Sequence, residues 1–313
     1  IDAEISRDGR YLFVGIYYGW RRNDVYFKDL KKHKDWQKLT VGEDARFTVA
    51  AHKNHFYVRT NKGAPRYRLF TIDPAKGWSF DKWKEVVPQS PKSVLSSFDI
   101  RGGHLALRYL HNASSKVEIA DLSGKVVRAI ELPGIGTVSA FTGNADDDDA
   151  YYSFSSFTTP PTVYETSVHK GGRKVFYEVK VPVDSSPFMV EQVWYPSKDG
   201  TKVSMFIVRR KDLKKDGNHP LLLNGYGGFN ISKEPSFRGS LYVWLERGGV
   251  FAMPNLRGGG EYGEEWHRGG MLDKKQNVFD DFIAAAEFLI KSGYTKPEKL
   301  AIEGGSNGGL LVG

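Results

Sequence analysis

The sequence predicts a β-propeller over residues 1–182 followed by an α/β domain over residues 183–313. Three observations carry that reading. A strand pair recurs four times in the first half, strands begin to alternate with helix near residue 183, and a glycine-bracketed serine sits on a strand-to-helix turn at Ser306.

The repeat defines the first domain. The pattern opens with Tyr11-Leu12-Phe13-Val14 and returns at 55–58, 104–107 and 150–153, at spacings of about 45 to 49 residues that fall within the range of propeller blades. A second strand-like run follows each of these segments, at 24–30, 67–73, 116–122 and 162–168, with turn residues after it as hairpins require. About four blades are therefore visible. Propellers close with roughly four to eight blades and four is uncommon, so further blades are expected before residue 1. Evenly spaced hairpins also build a β-sandwich, and strand spacing alone leaves that alternative open.

The second domain begins with a hairpin. Residues 190–195 and 203–208 flank the turn Ser197-Lys198-Asp199-Gly200, and 221–223 and 250–253 read as buried strands. Asn277 is placed to cap a helix with Asp280 at the third position. Phe279, Phe282, Ile283, Ala286, Leu289 and Ile290 form its apolar stripe and Gly293 ends it. The short strand 300–302 then leads into Gly304-Gly305-Ser306-Asn307-Gly308-Gly309, and Leu310-Leu311-Val312 starts a buried helix. This is the strand–turn–helix setting of a nucleophile elbow. Its serine sits strained at the tip, and side chains two positions to either side would strike neighbouring backbone.

Composition excludes several classes. No run of eighteen apolar residues exists to span a bilayer as a helix, and the absence of cysteine excludes disulfides and thiolate metal sites. The formal charge of +8 is carried by lysines such as Lys31, Lys32, Lys34, Lys211, Lys214, Lys215, Lys274 and Lys275, scattered among acids. They read as solvated loops rather than a nucleic-acid surface, since no binding motif accompanies them.

Acyl transfer needs donors aimed where negative charge develops on the carbonyl oxygen. The backbone amide of Asn307, next after the serine, is one candidate. The Tyr226 hydroxyl, in the glycine-rich loop after strand 221–223, is the other. Gly258, Gly260 and Gly263 satisfy a dinucleotide-loop pattern with Asp280 beyond them, but residues 264–270 have no apolar stripe and capping explains the acid. Arg257 and Glu261 read instead as organisers of that loop. Asp146 to Asp149 read as a solvated turn rather than a calcium loop, because no glycine follows at the required offset. Asn112 and Asn230 head glycosylation sequons that act only in a eukaryotic secretory setting. In this enzyme class the acid and the histidine follow the serine in chain order, whereas all eight histidines precede Ser306. The expectation is a fragment of a longer enzyme, inactive by itself because a serine without its base loses on the order of 10⁶-fold in turnover.

On these motifs the chain resembles the prolyl oligopeptidase family, serine peptidases of the α/β-hydrolase class. The resemblance rests on Tyr195 to Lys202, on Gly225-Tyr226-Gly227-Gly228-Phe229, on Asn255 to Gly263 and on the elbow, in that family's order and approximate spacing. It implies a seven-bladed propeller, with about four blades present here, followed by an α/β-hydrolase domain that stops after its elbow. It also implies an endopeptidase cutting short peptides on the carboxyl side of proline through an acyl-enzyme on Ser306. Tyr226 and the Asn307 amide would be its oxyanion donors, and Phe229 would be part of the apolar pocket for the proline ring. The expected partners are short proline-containing peptides, with no nucleic acid, membrane, metal or cofactor. The expected protein is a monomer in the cytoplasm or periplasm. The alternatives are an oligopeptidase with a different side-chain preference and a non-catalytic propeller binding module.

Overall fold

The computed structural model describes residues 1–32 and 35–313; His33 and Lys34, which belong to the histidine and lysine patterns above, lie outside the described residues. Four four-stranded sheets come first, each with its strands in sequential order. The first holds β1 (Asp2–Ile5), β2 (Tyr11–Tyr18), β3 (Arg22–Asp29) and β4 (Gln37–Thr40), and the second β5 (Phe47–His52), β6 (His55–Thr60), β7 (Arg68–Ile72) and β8 (Lys84–Val87). The third holds β9 (Ser93–Arg101), β10 (His104–His111), β11 (Ser114–Ala120) and β12 (Val126–Ile130), and the fourth β13 (Thr137–Gly143), β14 (Asp149–Ser155), β15 (Thr162–Ser167) and β16 (Gly171–Glu178). The recurring strand pair is thus the inner pair of each blade, and four separate sheets rule out the two-sheet sandwich.

The outer strands β1 and β16 escaped the pattern for a physical reason. Strand β2 alternates buried and half-buried side chains over most of its length, whereas every residue of β1 is exposed and β16 is exposed almost throughout. A strand without a buried face has no hydrophobic period to read.

By compactness the chain forms two units, one of residues 1–109, 117–130 and 143–150, the other of 110–116, 131–142 and 151–313. The first has an aromatic core in which Phe56 meets Tyr11, Phe13 and Phe27 edge to face, at centroid distances of 4.8, 5.0 and 5.1 Å. Such pairs add about 0.5–1.5 kcal/mol each beyond the burial of their area.

The second unit contains a five-stranded sheet of β17 (Phe188–Pro196), β18 (Lys202–Arg210), β19 (Leu221–Asn224), β20 (Val250–Pro254) and β21 (Leu300–Glu303). Their order is β17-β18-β20-β19-β21, with the first two pairings antiparallel and the last two parallel. Four α-helices accompany it among the described residues: α1 (Gly239–Glu246), α2 (Glu264–Arg268), α3 (Gln276–Lys291) and α4 (Asn307–Val312). Side chains of one strand alternate between two cores. Val203, Met205 and Ile207 of β18 share a core with Val278, Phe282 and Leu289 of α3, while Phe206 and Val208 pack with Leu241, Tyr242 and Leu245 of α1. Both faces of the central strands β18, β20 and β19 are covered, as their near-continuous apolar runs require, whereas the edge strand β21 leaves Ala301 and Ile302 exposed.

Helix α3 corrects the sequence reading in two places. It starts at Gln276 with Lys275 at the cap, so Asn277 lies inside it and its side-chain amide donates to the Gly269 carbonyl at 2.8 Å. Its buried face is Val278, Asp281, Phe282, Ala285 and Leu289, whereas Ile283 is 55% exposed. The stripe was displaced because a charged residue, Asp281, occupies a core-facing position. The helix ends as expected, with Gly293 in the left-handed region at φ 75°.

Candidate active site

Strand β21 ends at Glu303, and the chain reverses through Gly304 and Gly305 into α4. Ser306, at the tip, has φ 55° and ψ −118°. A side chain held there costs roughly 1–3 kcal/mol, so the surroundings must enforce it. Two glycines do so. A β-carbon on Gly304 would lie 2.1 Å from the Gly308 carbonyl oxygen, and one on Gly308 would lie 2.5 Å from that of Gly225. Gly305 has open space around it. Ser306 is exposed, and its hydroxyl makes no hydrogen bond among the described residues. The Asn307 amide heads the first turn of α4, where backbone donors lack helical partners.

The glycine-rich loop after β19 lies against this elbow. The Gly225 amide donates to the Glu303 carbonyl at 3.0 Å, and the Asn224 side chain donates to the Glu303 carboxylate at 2.8 Å. Gly227 is left-handed at φ 61°, and a β-carbon there would meet Val278 at 2.3 Å. Phe229 and Asn230 also have positive φ, at 55° and 56°, and the Phe229 ring is half exposed. Tyr226 is half-buried; it follows the anchored Gly225, and its own carbonyl accepts from Asn307 Nδ2 at 2.6 Å.

Lys275 contradicts its reading as a solvated loop residue. Its ammonium is partly buried and donates to the Gly227 carbonyl at 2.9 Å and to Asn307 Oδ1 at 3.1 Å. Burial pulls its pKa below the usual lysine value.

The loop between β20 and α2 buttresses the Tyr226 loop from behind. A β-carbon on Gly258 would lie 2.7 Å from the Gly227 carbonyl, and the Asn230 amide donates to the Gly258 carbonyl at 3.0 Å. Close backbone approach therefore explains this glycine. The helix that follows has only five residues, and Asp280 accepts a hydrogen bond from Gln276 within α3.

Arg257 organises this loop, as expected. Its guanidinium reaches Asp281 at 2.6 Å and Asp199 at 2.5 Å, and its amide donates to Asp281 at 3.0 Å. Burial works against the guanidinium charge, but the hydrogen bonds to Asp281 and then Asp199 outweigh it and hold the pKa well above the ordinary value. The same contact draws Asp199 down to about 2. Glu261 is fully buried. Desolvation pushes its carboxyl up to about 7, although one oxygen accepts from the Lys233 amide at 2.7 Å; the other takes no hydrogen bond among the described residues.

The geometry therefore brings Ser306, Asn307 and the Tyr226 loop together, with Phe229 at the loop's far end. No described histidine hydrogen-bonds Ser306; His267 is buried beside Glu264, with Nδ1 3.4 Å from its carboxylate. The sequence reading missed Lys275, Asp281 and the role of the Asn307 side chain. An acid between Val278, Phe282 and Ala285 was a readable sign of a buried ion pair. Nothing in the sequence distinguished Lys275 from its neighbour Lys274.

Comparison with known proteins identifies the family. Residues 1–179 match the family description "Prolyl oligopeptidase, N-terminal beta-propeller domain", and residues 235–313 match "Prolyl oligopeptidase family". A prolyl endopeptidase of Elizabethkingia meningoseptica is 43% identical over 100% of this chain and 44% of its own length. Prolyl oligopeptidase A of Galerina marginata is 36% identical over 99% of this chain and 43% of its own length. A solved structure from a study of two prolyl endopeptidases superposes with a TM-score of 0.95 at 55% identity, covering 99% of this chain and 46% of that one. The chain thus spans less than half the length of these relatives. Among the described residues no helix is long and apolar enough to cross a membrane.

Proposed function

Because the chain belongs to the prolyl oligopeptidase family, we propose that it carries the nucleophile and oxyanion site of a serine endopeptidase that cleaves short peptides on the carboxyl side of proline. The observation that carries the proposal is the left-handed Ser306, held at φ 55° and exposed beside the Tyr226 loop and the first turn of α4.

The Ser306 hydroxyl oxygen attacks the prolyl carbonyl carbon while its proton passes to a general base. The carbonyl electron pair moves onto oxygen, facing the Tyr226 hydroxyl and the Asn307 amide. Collapse breaks the C–N bond, the leaving amine takes the proton from the base, and water then releases the acyl group by the same steps. In this fold the base and its acid follow the serine in chain order. Phe229 offers an aromatic surface at the loop's end, suited to the compact apolar proline ring.

The test is labelling by a fluorophosphonate probe in a full-length family member carrying these 313 residues. Label should appear and vanish in Ser306→Ala, with turnover of a proline-containing peptide falling on the order of 10⁶-fold. Absence of any Ser306-dependent label, with peptide still bound, would point to the binding-module alternative. In the same protein Tyr226→Phe should lower turnover by about 10 to 10³-fold, as losing one oxyanion donor does.

A further inference from the structure

We infer that Lys275 is a positioning residue for the oxyanion site, setting the orientation of the Asn307 side chain and through it the place of Tyr226. The inference rests on the peptidase reading above and adds a residue to it.

Three hydrogen bonds form a closed arrangement. Lys275 Nζ donates to the Gly227 carbonyl at 2.9 Å and to Asn307 Oδ1 at 3.1 Å, and Asn307 Nδ2 donates to the Tyr226 carbonyl at 2.6 Å. An ammonium has three donors and no acceptor, so the atom of Asn307 that faces it must be the oxygen. The nitrogen is thereby turned toward Tyr226. Without Lys275 the Asn307 side chain would keep only its bond to the Tyr226 carbonyl, and the Gly227 carbonyl would lose its donor.

The consecutive carbonyls of Tyr226 and Gly227 are both held this way, while the Gly225 amide is held by Glu303. Tyr226 is therefore fixed on both flanks. Asn307 also packs closely on Gly228, where a β-carbon would lie 2.6 Å from Nδ2 and no side chain would fit. Among the described residues Lys275 faces no carboxylate, and both of its hydrogen-bond partners are neutral oxygens. A partly buried cation without a counter-ion is costly unless it is fully hydrogen-bonded, and the hydrogen bonds it makes converge on the two segments carrying the proposed donors.

The experiment is a kinetic cycle in the full-length family member, with a chromogenic proline-containing peptide. Lys275→Met should lower kcat by about 10 to 10²-fold with KM changed less than about threefold, because misplacing a donor by an ångström costs that much. Lys275→Arg, which can still donate to both oxygens, should recover part of the loss. In the double variant with Tyr226→Phe, the two losses should not multiply, since Lys275 acts through a hydroxyl that is no longer there. An unchanged kcat in Lys275→Met, or fully multiplicative losses, would overturn the inference.

Hydrogen exchange of the 225–230 amides gives a readout independent of turnover. Lys275→Met should speed exchange there and leave the propeller amides unchanged; equal protection in both proteins would overturn the inference. If the parent shows no Ser306-dependent hydrolysis, the peptidase reading fails, while the exchange experiment still decides whether Lys275 holds the loop. Should Lys275→Met not fold, Lys275→Gln carries the same two measurements.

Discussion

Arg257 and Lys275 are both partly or wholly buried within the same unit, and the protein treats them in opposite ways. Arg257 is paired with two carboxylates, Asp281 and Asp199, at 2.6 and 2.5 Å. Lys275 has only neutral oxygens around it. The difference separates architecture from adjustment. A guanidinium fork matched to carboxylates ties a loop to a helix, whereas a compact ammonium can orient one amide and one carbonyl without fixing anything else.

The comparison breaks most sharply at Asp281. Replacing it by alanine leaves Arg257 buried beside a lost partner, and unfolding free energy in urea should fall by about 3–5 kcal/mol. A loss below about 1 kcal/mol would mean that Arg257 is no more committed to the architecture than Lys275 is.

A smaller effect should come from Glu261, the acid whose surroundings do not balance it. Its carboxyl is raised from the ordinary 4.5 to about 7, so between these values the folded chain binds more protons than the unfolded one. Stability should therefore fall as pH rises from about 4.5 to 7. Glu261→Gln should flatten that part of the curve, read as the urea midpoint against pH; an identical slope in the variant would remove Glu261 as its source.

The smallest effect belongs to Asp199, which is 47% exposed. Its carboxyl is lowered to about 2, so its contribution is present above the ordinary carboxylate value and lost as pH falls toward 2. Solvent screens most of it. Asp199→Asn should leave the melting temperature at neutral pH nearly unchanged and slightly reduce acid sensitivity, which sharpens the contrast with Asp281 at the other end of the same guanidinium.

The sequence revealed what burial imprints on it. The inner strands of each blade, the β17–β18 hairpin and the elbow glycines all follow from alternation, turn residues or steric need. Strands β1 and β16 carry no such imprint, because they bury almost nothing. At the site, Ser306, Tyr226 and Asn307 were legible as a pattern of residue types around a turn. Lys275 was not, because whether a lysine meets solvent or two carbonyls depends on where α3 starts relative to a loop about fifty residues earlier. Asn277 shows the same limit: its amide found the Gly269 carbonyl instead of capping the helix.

The four glycines that flank Ser306 are not equivalent, and that has a consequence for anyone searching distant sequences for this turn. Gly304 and Gly308 have backbone oxygens where a methyl group would have to go, while Gly305 has nothing within 4 Å and Gly309 meets only the Gly304 oxygen, at 3.9 Å. Neither Gly305 nor Gly309 has a positive φ. Evolutionary drift at those two positions is sterically free, and inside α4 an alanine at position 309 would even gain roughly 1 kcal/mol of helix propensity. A search template built on all four glycines would discard functional relatives, whereas one built on the outer member before the serine and the inner member after it would keep them.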